Sequence, residues 1–213
     1  MDGGEIGGCV GPVVCEKRCE AVQKANHRFM RITIVPSVVA KNFSLFKDNS
    51  SLRESAQLFA RGLPIAEMIQ AFAMNRSVLS VFASFEAIYP HGNLERGILE
   101  KVILCISERN QCQFCIATHR DFARSLGISV DHADQPESPN HSARERLAIE
   151  YALAVHRNSN QVPPDLIERL REVFTDAEIV ELTFLTGFIN MLNWFNNALD
   201  VRYRMEFAGL NME

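Results

Sequence analysis

The sequence predicts an all-α protein, a bundle of about eight helices, on the basis of three observations. Apolar residues recur at positions i, i+3, i+4 and i+7 through most of the chain after residue 50, which is the period of an amphipathic helix. Proline, glycine or polar clusters interrupt these runs at intervals of one helix length, and no convincing sheet pattern is present. With 47% hydrophobic residues among 213, the chain can bury a large core within one domain.

The first 30 residues differ from the rest and are predicted to be a disordered arm, with the helical domain spanning residues 31–213. They are glycine-rich, begin acidic and lack the basic and uninterrupted apolar regions of a secretory signal. Cys9, Cys15 and Cys19 lie in this arm without a C-x-x-C pair or suitably spaced histidines. We interpret them as bystanders, with additional redox thiols or adventitious metal binding as the alternatives.

The segment 31–46 contains β-branched residues but is interrupted by Pro36, so we expect an extended stretch that packs against the bundle. Asn93 is expected to cap the helix that contains Glu100. Between these two regions, helical periodicity predicts three helices: residues 52–61, residues 65–72, and a third from about residue 77 until Pro90 and Gly92.

The C-terminal half follows a polar, proline-bearing loop at residues 128–141, which we expect to separate it from the half that holds Glu100. Ser142 with Glu145 and Thr175 with Glu178 form two capping boxes, each of which predicts a helix start. Between these two helices, the sequence PPDLIERLREVF predicts a short amphipathic helix introduced by prolines.

The final helix is apolar around too much of its circumference for one small domain, so part of it is predicted to be a subunit interface. The apolar side chains concerned are Phe184, Phe188, Met191, Leu192, Trp194 and Phe195. Four asparagines stand among them, and we interpret them as hydrogen-bonded positions on the helix flank, with a role in a substrate pocket as the alternative. These are Asn190, Asn193, Asn196 and Asn197.

Two cysteines stand where a helix is predicted to begin. Asn110 and Gln113 precede an apolar-periodic run as in a capped helix start, and Gly127 closes the run as a left-handed cap. Cys112 and Cys115 then lie in the first turns, with Cβ atoms about 5–6 Å apart, from which a modest adjustment forms a disulfide. Because a helix N-terminus favours a thiolate, at least one thiol should have a pKa below the free value of about 8.5.

His119 follows Cys115 by four residues and Cys112 by seven, so the three side chains are predicted to share one helix face. The imidazole could then exchange a proton with the Cys115 sulfur, as in a Cys-His dyad. Glu100 lies on the preceding helix. If the two helices pack as a hairpin, the Glu100 carboxylate can orient the imidazole directly or through one water.

Glu100, Cys112, Cys115 and His119 together form the pattern E-x11-C-x2-C-x3-H. With this pattern, the chain resembles the alkylhydroperoxidase D-like branch of the carboxymuconolactone decarboxylase family, from about residue 51 to about residue 201. The likeness includes the segments NLERGILEKVILCISERNQCQFC and SARERLAIEYALAV and the long final helix. Four positions at fixed spacing in a helical context are far more specific than an isolated C-x-x-C.

The resemblance implies an AhpD-like helical bundle, thiol-dependent peroxidase activity, and assembly into trimers or hexamers. In this family the second cysteine is peroxidatic, so Cys115 would attack a small hydroperoxide and Cys112 would resolve the product to a disulfide. His119 would act as the base, and Glu100 would orient it. An external thiol or dithiol would reduce the disulfide, and no bound cofactor is required. This chain lacks the second histidine that some members carry between the cysteines, so its proton relay would be shorter.

The residues alone leave alternatives open. The first thiol of a helix-start C-x-x-C pair is normally the nucleophile, whereas the histidine four residues on favours Cys115. A general dithiol–disulfide oxidoreductase would use the same pair. A non-catalytic zinc-binding or scaffold protein could ligate the metal through both cysteines and His119, with Cys105 as the fourth ligand. A lactone decarboxylase would need no dithiol. Glu108 is nearer to the cysteines than Glu100, but we interpret it as part of a solvated helix end.

Charge and hydropathy argue against some partners. The net charge is −4, and Lys and Arg are scattered rather than massed, so we expect no nucleic-acid partner and no anionic membrane surface. No segment reaches the roughly 18 apolar residues of a membrane span. We therefore expect a soluble, cytoplasmic protein.

Overall fold

The computed structural model describes residues 30–46, 50–85, 89, 92–133 and 135–203, and in these ranges the chain forms nine α-helices, two short 3₁₀ turns and no strand. The all-α prediction is therefore confirmed. The predicted arm and its three cysteines lie outside the described residues, apart from Met30. The helices are α1 (Pro36–Phe43), α2 (Ser50–Ala60), α3 (Glu67–Ala73), α4 (Arg76–Phe85), α5 (Arg96–Arg109), α6 (Gln113–Ser125), α7 (Ala143–Asn158), α8 (Pro164–Val173) and α9 (Asp176–Leu199).

Helix α5 lies at the centre of the bundle and packs against α6, α7 and α9. Every side chain from Ile98 to Ser107 is buried, including those of Glu100 and Lys101. A helix buried on all sides must pair its polar groups, because an unpaired buried charge is strongly destabilising. Lys101 Nζ accordingly lies 2.8 Å from Glu145 Oε1 on α7. The central position of α5 places Glu100 inside the protein rather than on a solvated helix face.

Both capping boxes predicted from the sequence are present. Ser142 accepts a hydrogen bond from the Glu145 N–H, and Thr175 accepts one from the Glu178 N–H. Each glutamate side chain accepts in return from the N–H of its cap residue. These local bonds fix where α7 and α9 begin.

The prediction of an extended stretch at 31–46 is wrong from Pro36 onwards, because Pro36 starts a helix. Val35 is the N-cap of α1, and proline follows it at the first helical position. Proline suits this position because the first N–H groups of a helix have no partner within it.

Asn93 does not cap α5, contrary to the sequence prediction. The N-cap is Glu95, without a side-chain cap bond. The backbone and side-chain N–H groups of Asn93 instead donate to Glu181 Oε2 on α9, at 2.6 and 3.1 Å. A Cβ atom at Gly92 would lie 2.1 Å from Glu181 Oε1, so any other residue there would displace the Glu181 carboxylate from these bonds.

The two halves of the chain on either side of the loop at 128–141 share one core. Helix α9 from the C-terminal half packs against both α5 and α7, and residues from α1 to α9 contribute to the same buried cluster. Among the helices that the structure describes, none combines the length and apolarity that crossing a membrane requires.

Candidate active site

The turn between α5 and α6 places the cysteines. Cys112 N–H donates to Ser107 O at 2.9 Å and Gln111 N–H to Glu108 O at 3.1 Å, which is the Schellman pattern at a helix C-terminus. Gln111 occupies the left-handed position, with φ 55°. Asn110 is therefore the C-cap of α5, and the predicted capping by Asn110 of the following helix is wrong.

Cys112 is the last residue of the Schellman motif that ends α5, and it is also the N-cap of α6. Three residues thus connect α5 to α6, and the tight connection holds the cysteines against the core. The left-handed cap predicted at Gly127 is confirmed, with φ +67°.

The two cysteine sulfurs lie 3.0 Å apart and both are buried, with exposed fractions of 0% for Cys112 and 3% for Cys115. The thiols are free. A disulfide bond is about 2.04 Å long, so its formation requires the sulfurs to approach by only about 1 Å. The sulfurs are therefore within easy reach of a reversible bond.

One thiol of the pair ionises readily and the other does not. The hydrogen bond from the Cys115 thiol lowers the pKa of Cys112 to about 7, against the opposing effect of burial, with help from the Cys115 backbone N–H and the amides of Asn196 and Asn193. The same thiol–thiol hydrogen bond, followed by burial, raises the pKa of Cys115. The expectation of one acidic thiol is met, but the resting thiolate falls on Cys112 rather than on Cys115.

Glu100 contacts His119 directly, as the predicted hairpin of two helices allows. His119 Nδ1 lies 2.8 Å from Glu100 Oε2, and the Glu100 side chain has an exposed fraction of 0%. Glu108 instead pairs with Arg120, with 2.6 Å between the nearest atoms, so it is not the acidic partner of the histidine.

Two further residues donate hydrogen bonds to Oε1, the other carboxylate oxygen of Glu100. Tyr89 O–H and Arg96 Nε donate to Glu100 Oε1 at 2.6 and 2.7 Å, and Arg96 also donates to the Tyr89 hydroxyl. Burial alone would raise the pKa of Glu100, but the hydrogen bond and charge of His119, the Tyr89 hydroxyl and the Arg96 charge hold it below its usual value. Burial and the Glu100 charge raise the pKa of Tyr89. The cluster therefore contains an ionised carboxylate and a neutral phenol.

His119 and the cysteines are near neighbours on α6 but are not directly bonded. Within the described part of the chain, no hydrogen bond joins either ring nitrogen of His119 to a cysteine sulfur. The predicted proton exchange between His119 and Cys115 therefore needs an intermediary.

Asparagines of α9 complete the site. The sequence predicted them as hydrogen-bonded positions with a pocket role as the alternative, but not their contacts with the cysteines and Asn110. Asn196 Nδ2 lies 3.3 Å from Cys115 Sγ, and Asn193 Nδ2 donates to Ser107 Oγ at 3.1 Å. Asn110 Nδ2 donates to Asn193 Oδ1 at 3.0 Å and to Asn190 Oδ1 at 2.8 Å. The interval of three residues among buried asparagines in an apolar helix was an available signal. Arg96 could also have been found four residues before Glu100, whereas nothing in the sequence marks Tyr89.

The zinc alternative has little geometric support. Among the described residues, no group of three or more His, Cys, Asp and Glu side chains could hold a metal ion. Cys105, the proposed fourth ligand, is completely buried within α5.

Comparisons with known proteins place this geometry in a wider context. No protein-family model matches the sequence. Over 100 residues, the chain is 36% identical to the uncharacterized protein YnjA of Escherichia coli K12, a match that takes in 45% of this chain and 55% of that protein. The chain thus spans little more than half the length of this relative.

Two solved structures share the fold. One, an uncharacterized peroxidase-related protein from Ralstonia eutropha JMP134 described as an alkylhydroperoxidase AhpD core, has a TM-score of 0.67 and 22% identity, covering 85% of this chain and 96% of its own. The other, from Agrobacterium tumefaciens, is a protein of unknown function suggested to be an antioxidant defence protein AhpD. Its TM-score is 0.56 with 26% identity, covering 61% of this chain and 92% of its own. The chain has the alkylhydroperoxidase D-like fold, which confirms the resemblance drawn from the sequence.

Proposed function

We propose that this protein is a thiol-dependent peroxidase that reduces small hydroperoxides with the Cys112–Cys115 dithiol. The observation that carries the proposal is the buried pair of free sulfurs 3.0 Å apart, one of them acidic. The Glu100–His119 pair beside it supplies acid–base chemistry. The peroxidase-related and antioxidant descriptions of the two solved neighbours support the same class of activity.

The first step forms the attacking thiolate. In the resting pair the proton lies on Cys115, and its transfer to Cys112 across the 3.0 Å gap places the charge on Cys115. The Cys115 thiolate attacks the terminal oxygen of the hydroperoxide, so that an S–O bond forms and the O–O bond breaks. Sulfur is oxidised to the sulfenic acid by two electrons, and the peroxide is reduced to an alkoxide.

The second step closes the disulfide. The alkoxide takes the Cys112 proton through His119 and leaves as an alcohol, which returns Cys112 to the thiolate. Cys112 then attacks the sulfenic sulfur, and hydroxide leaves and is protonated by solvent. An external thiol or dithiol reduces the disulfide and restores the dithiol.

His119 acts as the proton relay in this scheme, and Glu100 orients it. With Glu100 ionised, Nδ1 of His119 carries the proton that the carboxylate accepts, and Nε2 is free to exchange protons, directly or through one water. Tyr89 and Arg96 occupy the remaining oxygen of Glu100, which keeps the carboxylate charged and fixed.

A general dithiol–disulfide oxidoreductase is the second candidate, and the acidic Cys112 favours it. In helix-start C-x-x-C pairs the first thiol is the usual nucleophile towards a disulfide. Cys112 would then attack a disulfide of another molecule, and Cys115 would resolve the mixed disulfide.

The test compares the parent protein with Cys112→Ser and Cys115→Ser before and after one equivalent of an organic hydroperoxide. Free thiols are counted, and modified peptides are mapped by mass spectrometry. We expect a Cys112–Cys115 disulfide in the parent and sulfenic acid on Cys115 in Cys112→Ser. Sulfenic acid on Cys112 alone would reverse the assigned roles. If the thiols stay reduced with peroxide but oxidise with a disulfide substrate, the second candidate replaces the first.

A further inference from the structure

Within the described ranges, the side-chain amide of Asn196, which contacts Cys115, has partners for its Nδ2 but none for its Oδ1. Its Nδ2 lies 3.3 Å from Cys115 Sγ and 3.4 Å from Met68 Sδ. Its Oδ1 is buried and accepts no hydrogen bond from any residue that the structure describes, in a residue with an exposed fraction of 1%. A buried carbonyl oxygen without a donor is costly, so its presence calls for an explanation.

The neighbouring asparagines Asn190 and Asn193 on the same helix do have hydrogen-bond partners for their Oδ1 atoms. Asn190 Oδ1 accepts from Asn110 and is also bonded to His156 Nδ1, and Asn193 Oδ1 accepts from Asn110. Asn190 and Asn193 therefore have both ends of the amide occupied, since their Nδ2 groups also donate. Among these three asparagines, only Asn196 retains an open acceptor.

We propose that Asn196 is a catalytic residue of the dithiol site, whose amide NH₂ stabilises the Cys115 thiolate and whose amide oxygen accepts the O–H of the hydroperoxide. This inference rests on the proposed peroxidase function. The terminal oxygen of a hydroperoxide carries the only O–H donor of that group, and it is also the atom that sulfur attacks. An acceptor on the same amide that contacts Sγ therefore holds the reacting oxygen next to sulfur.

The same hydroxyl keeps this partner through the transfer. When the S–O bond forms and the O–O bond breaks, the hydroxyl passes from the peroxide to Cys115 as the sulfenic acid. Its O–H can still donate to Asn196 Oδ1, and no group has to rotate or lose its partner. The amide NH₂ thus donates to the thiolate before the attack, and the amide oxygen accepts from the hydroxyl during and after it.

The experiment separates the two ends of the amide in the full-length Cys112→Ser protein, in which sulfenic acid cannot be resolved. Asn196→Leu removes both donor and acceptor, whereas Asn196→Asp removes the donor and keeps an acceptor. Asn197→Leu is the matched control, because Asn197 is exposed and its Nδ2 donates to Asn110 O at 2.8 Å. Two quantities are measured: the pKa of Cys115 from thiolate absorbance, and the rate of sulfenic acid formation with cumene hydroperoxide when Cys115 is fully ionised.

In Asn196→Leu we expect a higher pKa of Cys115, because the thiolate loses a donor. The rate for the ionised thiol should be about twofold to tenfold lower, the range for losing one hydrogen bond between neutral groups. Asn196→Asp should show the higher pKa but lose less of the rate for the ionised thiol. The inference is wrong if Asn196→Leu matches Asn197→Leu in both quantities. Its acceptor part is wrong if Asn196→Asp loses as much rate as Asn196→Leu.

A measurement on the unsubstituted side chain covers the case in which the Asn196 variants do not fold. The side-chain amide resonance of Asn196, followed by NMR in Cys112→Ser, should move with the titration of Cys115 and move again on oxidation to the sulfenic acid. An amide that moves with the titration while no sulfenic acid forms would support the donor contact and refute the peroxidase. An amide insensitive to both would overturn the inference, whatever the peroxidase activity.

Discussion

Tyr89 and Arg96 both donate to Oε1 of Glu100, while His119 faces Oε2. Oε1 therefore accepts the bonds that stabilise the ionised carboxylate, and Oε2 orients the imidazole. The hydrogen bonds that stabilise an ionised carboxylate also lower its pKa. The pH dependence of the proposed peroxidase activity should therefore depend in part on Tyr89 and Arg96, which do not touch the cysteines.

Replacing Tyr89 with phenylalanine removes one of these donors, and the pKa of Glu100 should rise. Since Glu100 must be ionised to hold the His119 proton, the loss of rate at acid pH that lies below the thiol titration near pH 7 should begin at higher pH. The matched control is Tyr203→Phe, because the Tyr203 hydroxyl donates to Asp121, away from Glu100. Peroxide consumption measured from pH 4 to 8 tests this; an acid side unchanged in Tyr89→Phe would contradict it.

Glu100→Gln should lower the peroxidase rate by about 10²-fold or more, because the histidine loses its oriented tautomer. It should also destabilise the fold at pH 7 by about 3–5 kcal/mol, the usual cost of removing one partner from a buried ion pair. Glu100 has a lowered pKa in the folded state. Its contribution is therefore complete above the unfolded pKa of about 4.3 and is lost as pH falls through the folded pKa.

The stability difference between the parent and Glu100→Gln should consequently narrow in acid. Urea unfolding followed by circular dichroism at pH 7 and at successively lower pH measures this difference. If the difference in unfolding free energy between the parent and Glu100→Gln stays constant or widens as pH falls, the ionised carboxylate is not the stabilising form.

At the scale of the helices, two consecutive helices end in the same left-handed backbone conformation, but with different residues at that position. Gln111 after α5 and Gly127 after α6 both occupy the left-handed region, with φ of 55° and +67°. A residue with a Cβ atom is disfavoured there by about 1–2 kcal/mol, whereas glycine is not. The turn that positions Cys112 is thus built with backbone strain that the turn after α6 avoids.

Opposite substitutions at these two ends should have opposite effects. Gln111→Gly should stabilise the protein by up to about 1 kcal/mol, and Gly127→Ala should destabilise it by about 1 kcal/mol. A Cβ atom at Gly127 meets nothing within 4 Å, so its effect would come from the backbone alone. Urea unfolding measures the free energy of unfolding of both variants. A change of the same sign in the two variants would contradict this explanation.

At the scale of the whole molecule, α9 leaves an apolar stripe on the surface. Val180, Phe184, Met191 and Trp194 are exposed, Trp194 with an exposed fraction of 63%. Of the other side chains assigned to the interface from the sequence, Leu192 is buried, and Phe188 and Phe195 pack against the protein's own core. The exposed stripe is therefore narrower than the sequence suggested, and assembly into a trimer or hexamer stays a prediction.

Trp194→Glu places a charge on this stripe and should shift the protein towards smaller species in sedimentation velocity, because burying an unpaired carboxylate in an interface is unfavourable. Leu126→Glu is the matched control, since Leu126 is an exposed apolar residue outside the stripe. A parent protein that already sediments as a 24.0 kDa monomer would refute the assembly.

The sequence by itself determined the features that depend on neighbours along the chain. Apolar spacing predicted the helices, and the two capping boxes predicted where α7 and α9 begin, because both involve contacts between residues three or four apart. The pattern of Glu100, two cysteines and His119 was predictable for a related reason: the cysteines and His119 share one helix, and only one tight turn separates them from Glu100.

Only the tertiary structure decided the rest of the site. Asn196 lies 81 residues from Cys115 in the chain, and Tyr89, which lies outside α5, bonds to Glu100 11 residues further on. Which thiol carries the resting charge likewise depends on amides that α9 brings to the pair. Local periodicity specifies which face of a helix is apolar, but not which residue of another helix meets it. That choice follows from packing the helices around α5, where each buried polar group must find a partner.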